Sequence, residues 1–62
     1  MNRDDIRAER QALRTRAATL EAQRQRALQR RDWRTAQQCE ADLRRLWARH
    51  EALTRHNEAD AQ

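Results

Sequence analysis

The sequence predicts an all-α chain: a two-helix antiparallel hairpin that dimerises into a four-helix bundle. Three observations predict it. The chain contains no Gly and no Pro, its apolar residues recur at heptad spacing, and the phase of that recurrence shifts once, close to Asp32. Ala, Arg, Gln, Leu and Glu dominate, and these are the strongest helix formers. Val, Phe and Tyr are missing and Ile occurs once, so little favours a strand.

The first helix is expected over about residues 3–29. Asn2 stands where an N-cap belongs, and Asp4 and Asp5 follow in the first turn, where negative charge suits the helix dipole. Ile6, Leu13, Leu20 and Ala27 form one heptad row. Its flanks are poor: Glu9, Arg16, Gln23 and Arg30 on one side, Arg3, Arg10, Ala17, Arg24 and Arg31 on the other. The result is a thin apolar seam edged by arginines, whose methylene stems can cover it while their heads stay wet.

That row, continued, would reach Arg34 and Ala41, whereas the next apolar rows begin at Ala36 and Cys39. The break falls in Arg30-Arg31-Asp32-Trp33, which predicts a turn over about 30–32 with Asp32 as N-cap of the next helix. The second helix is expected over about 33–56, with a frayed tail at 57–62. Ala36, Leu43 and His50 make one row; Cys39, Leu46 and Leu53 make another; Trp33 and Trp47, two heptads apart, flank the same face. Glu40–Arg44 and Glu51–Arg55 are i,i+4 pairs in the favourable orientation. The rival architecture is one continuous helix about 90 Å long, at ~1.5 Å per residue.

The expected core of hairpin and dimer is therefore Ile6, Leu13, Leu20, Ala27, Trp33, Ala36, Cys39, Leu43, Leu46, Trp47, His50 and Leu53. One thin row cannot cover the wide face of the second helix, which argues for a second copy or a partner protein. Small chains of this length usually need such a staple, and Cys39, as the only cysteine, excludes an internal disulfide. Cys39 reads as a small core residue, placed so that it can meet its twin across a two-fold axis. Trp47 reads as core or interface. Trp33 lies near the turn among Arg30, Arg31 and Arg34, any of which can stack on its ring. His50 reads as a buried polar position that fixes register.

Charge is unevenly placed. Residues 1–31 carry nine Arg and four acids, residues 32–62 five Arg and six acids, and every basic residue is Arg. Coding in a GC-rich bacterial, phage or plasmid genome accounts for arginine over lysine; selection for bidentate guanidinium forks is the functional alternative. The candidate partner or nucleic-acid surface is Arg10, Arg14, Arg16, Arg24, Arg26, Arg30, Arg31 and Arg34. Such a surface can meet phosphates, meet an acidic protein, or simply be solvated.

Catalysis is not expected. There is no Ser, no Gly-rich phosphate loop and no nucleophile–base pair. His50 and His56 are six apart, which puts them on different helix faces and away from metal-binding spacing. No cofactor, metal, membrane or small-molecule substrate is expected. A lone Cys and a charged start, Met1-Asn2-Arg3-Asp4-Asp5, suit a cytoplasmic protein, and Met1 with its following cap suits a chain start over an excised fragment.

Leu20-Glu21, Ala27, Asp32-Trp33, Ala36, Leu43 and Leu46 resemble the UVR motif, the helical hairpin of the excision-repair proteins UvrB and UvrC, in register over residues 20–46. The likeness implies a hairpin that docks on a matching hairpin. Departures lie at Arg24 and Arg31, where the family often has apolar residues, at Gln37, where it has Ala, and at Glu40-Ala41, where it has Arg-Asp. In size and expected architecture, though in no motif, the chain is also similar to Rop-like plasmid proteins, hairpins that dimerise and bind RNA. Two readings stand: a self-associating adaptor or regulatory module, and a Rop-like nucleic-acid-binding regulator using the arginines of the first helix.

Overall fold

In the computed structural model the described residues are 2–61 for the backbone and 2–56 for the side chains. The chain forms two helices, α1 (Arg3–Gln29) and α2 (Trp33–Ala61), with no strand among the described residues. They fold back on each other: Arg49 reaches Glu9 and Arg24 reaches Glu40 across the gap. The molecule measures 47 × 15 × 13 Å, half the length of the continuous-rod alternative, and is an antiparallel hairpin one layer thick.

Side-chain caps begin both helices. The Asn2 side-chain oxygen accepts from the Asp5 N–H at 2.9 Å, and the Asn2 carbonyl accepts from Ile6 at 3.1 Å. Asp32 Oδ1 accepts from the Thr35 N–H at 3.2 Å, and its Oδ2 accepts from the Thr35 hydroxyl at 2.6 Å. Helix α2 runs past residue 56, where an end was expected. His56-Asn57-Glu58-Ala59-Asp60-Ala61 contains neither Gly nor Pro to stop it. The side chains of the expected tail, 57–62, lie outside the described residues.

The turn is a Schellman closure built without glycine. The Asp32 N–H donates to the Ala27 carbonyl at 2.8 Å and the Arg31 N–H to the Leu28 carbonyl at 3.1 Å, the two bonds that define the motif. It requires a left-handed residue, and Arg31 takes that position at φ 58°. For a residue with a Cβ this conformation costs about 1–2 kcal/mol. Arg31→Gly is therefore expected to stabilise the chain by about 1 kcal/mol in urea unfolding. An unchanged or lower stability would show that the Arg31 side chain makes up the strain elsewhere.

The core is small. Ile6, Ala17, Leu20 and Ala27 are buried on α1, and Ala36, Cys39, Leu46 and Leu53 on α2. At its centre Ala17, Leu20 and Leu46 pack together, with Leu13 and Leu43 partly buried against them. Ala17, expected on a flank of the seam, is 2% exposed. Its small side chain lets the helices approach closely between Arg10 and Arg24.

Candidate functional site

Helical phase gives the hairpin two broad sides, one on each flank of the buried seam. On the first side the α2 row is Trp33, Glu40, Trp47 and Thr54, and the adjoining α1 row is Arg10, Ala17 and Arg24. Arg24 Nε donates to Glu40 Oε1 at 2.9 Å and marks this side. On the second side the α2 row is Thr35, Asp42 and Arg49, and the α1 row is Glu9, Arg16, Gln23 and Arg30. The bidentate Arg49–Glu9 pair, at 3.0 and 3.3 Å, marks it.

Both tryptophans were expected in the core of the hairpin or of its dimer, and neither is in the core of the hairpin. Trp33 is 59% exposed and Trp47 41% exposed. The reason is angular: the seam of α2 centres between the Leu43 and Leu46 rows, and the tryptophan row falls on its edge. No arginine stacks on Trp33 among the described residues; the aromatic contact there is between Trp47 and His50, edge to face with centroids 5.2 Å apart. His50 and Leu43 are half-buried beside Trp47. Among the described residues, Arg10 Nε and His50 Nε2 are buried without a hydrogen-bond partner.

The candidate arginines divide by surroundings. Arg24 is taken up by Glu40, which therefore does not pair with Arg44 as expected. The cross-hairpin guanidinium reaches Glu40 in a part-buried cleft, where a charge-assisted bond is stronger than an exposed i,i+4 contact. Glu51 does hold Arg55, at 2.6 Å, and Asp42 holds Arg45 at 3.5 Å. Arg10 is half-buried, whereas Arg14, Arg16, Arg26, Arg30, Arg31 and Arg34 are exposed. None of these seven makes a salt bridge to a carboxylate among the described residues.

At the turn end of the second side lies a hollow of about 310 Å³ lined by Gln23, Arg26, Ala27, Arg30, Asp32 and Thr35. The Asp32 carboxyl sits below the usual carboxylate range. The Thr35 hydroxyl bond is the main cause, then the Thr35 backbone bond, with Arg30 and Arg34 adding to it. A lowered carboxyl contributes stability that is present above its unfolded pKa and lost as pH falls through its folded pKa. Thermal melts are thus expected to show Asp32→Ala destabilising the chain at neutral pH, the difference shrinking as pH drops below the ordinary carboxylate range near 3.9. A pH-independent difference would contradict the cap's charge dependence.

Cys39 is a free thiol buried within the hairpin, as a small core residue. Among the described residues no three His, Cys, Asp or Glu side chains cluster to hold a metal, and no helix is long and apolar enough to cross a membrane. No protein family matches the sequence, and no curated protein and no solved structure is similar to it.

Proposed function

We propose that the chain is a non-catalytic interaction module, a helical hairpin that pairs with a second copy of itself through the Trp33–Trp47 side and serves as a small adaptor or regulatory protein for a further partner. The exposure of these two tryptophans carries the reading. Large aromatics concentrate the binding energy of interfaces, and here they lie two heptads apart in one row beside half-buried Leu43.

Area supports it. The 7.5 kDa chain exposes 4981 Å². A compact monomer of this mass exposes about 4,200 Å². The excess of roughly 780 Å² is close to the ~800 Å² that each partner buries in a standard interface. A single layer of two helices has only one covered face, and a second layer supplies the other. The UVR-like register implies the same docking of hairpin on hairpin.

Sedimentation velocity across a wide concentration range tests the reading. A reversible monomer–dimer equilibrium in the micromolar range is expected, and a folded monomer at every concentration would overturn it.

A further inference from the structure

The second side of the hairpin has a different chemistry. Arg16, Gln23, Arg26 and Arg30 follow one another at spacings of seven, three and four residues, which places them in one stripe along α1. From Arg16 to Arg30 the stripe rises about 21 Å at ~1.5 Å per residue. The acids that border it are already engaged. Glu9 is held by Arg49, Asp42 by Arg45 and the Gln38 amide, and both Asp32 oxygens by Thr35. Arg16, Arg26 and Arg30 are all exposed and without a salt-bridge partner among the described residues, and the Asp32 carboxylate offsets the charge of Arg30 only in part, being shared with Arg34. The first turn of α2, with its positive dipole end, opens into the same hollow.

We propose that this stripe and hollow bind the phosphodiester backbone of a nucleic acid. The lining decides between nucleic acid and an acidic protein. It offers guanidinium, amide and hydroxyl groups, one carboxylate, Asp32, whose two oxygens are bonded to Thr35, and, apart from Ala27, no apolar side chain. Protein interfaces need an apolar or aromatic centre, whereas nucleic-acid interfaces are polar and strongly positive. Arginine forks take phosphate oxygens bidentately, and Arg26 and Arg30, one turn apart, flank one hollow. At the adjoining tip Arg31 stands at φ 58°, a place where glycine would be unstrained. The Schellman closure thus sets a further cation next to Arg30. The recognition is of backbone charge, so no base preference follows. This side lies across the seam from the tryptophans, so phosphate binding there does not depend on dimerisation.

The test is fluorescence anisotropy with a labelled duplex DNA and a labelled single-stranded RNA, each titrated against salt. Two charge-matched variants are compared, Arg16→Gln/Arg26→Gln/Arg30→Gln in the stripe and Arg3→Gln/Arg7→Gln/Arg14→Gln elsewhere on α1. The stripe variant is expected to bind at least about tenfold more weakly than the other, and its log–log salt slope to flatten by roughly 2–3, at about 0.9 per lost phosphate contact on duplex and about 0.7 on a single strand. The tighter of the two probes identifies the form of nucleic acid bound. Three results would each overturn the proposal: no binding of the unaltered protein at low salt, equal losses in the two variants, or equally tight binding of a polyglutamate chain. Circular dichroism of both variants confirms that helix content is retained, since all six residues are exposed.

Discussion

Leu46→Ala is expected to remove about 3 kcal/mol of stability, enough to leave much of the chain unfolded at moderate temperature. Leu46 is 7% exposed and meets Ala17 and Leu20 at the centre of a packed cluster that joins the helices. Truncating a buried leucine costs about 2–5 kcal/mol, from lost transfer energy and from the cavity left behind. A chain of 62 residues has about 3–9 kcal/mol in total, at roughly 0.05–0.15 kcal/mol per residue. Leu28, half-buried and outside that cluster, is the comparison, and Leu28→Ala is expected to cost less than about 1 kcal/mol. Urea unfolding followed by far-UV circular dichroism, with protein concentration held equal, measures both. Equal losses would mean that the helices pack in a different phase.

The contrast between these two leucines is legible in the amino-acid sequence alone, because Leu46 falls on a heptad row and Leu28 does not. The starts of both helices are legible for a related reason: Asn2 and Asp32 are short polar side chains directly ahead of periodic apolar residues. Other features depend on how the helices meet. The Arg24–Glu40 and Glu9–Arg49 pairs require the antiparallel register, which no spacing within one helix reveals. Arg31 in the left-handed region has no residue-type signal, since glycine or asparagine is the usual occupant. The burial of Ala17 has a faint one: it is the small residue in a row otherwise made of arginines, and only a small residue lets two helices close at that level. The tryptophans escape a sequence reading because a broad apolar stripe on a helical projection does not say which of its edges a single neighbour will cover.

That uncovered edge is where the other large effect is expected. Trp33→Gln/Trp47→Gln is expected to weaken self-association about 100-fold or more while leaving the hairpin folded. The two side chains lie outside the buried set, so replacing them creates no cavity within one chain, and Gln keeps good helix propensity. In an interface each aromatic anchor is worth about 2 kcal/mol or more, and about 1.4 kcal/mol is tenfold in affinity. The two sites should not contribute equally. Trp47 stands beside half-buried Leu43 and against the His50 ring, so a partner surface there is desolvated from several directions. Trp33 stands at the turn, 59% exposed and next to Arg34, where water has access. Trp47→Gln alone should therefore account for most of the loss. Sedimentation equilibrium of both single variants and the double variant, with helicity checked in parallel, decides it. An undiminished dimer in the double variant would move the interface off this side, and a larger effect from Trp33 than from Trp47 would place its centre at the hairpin tip.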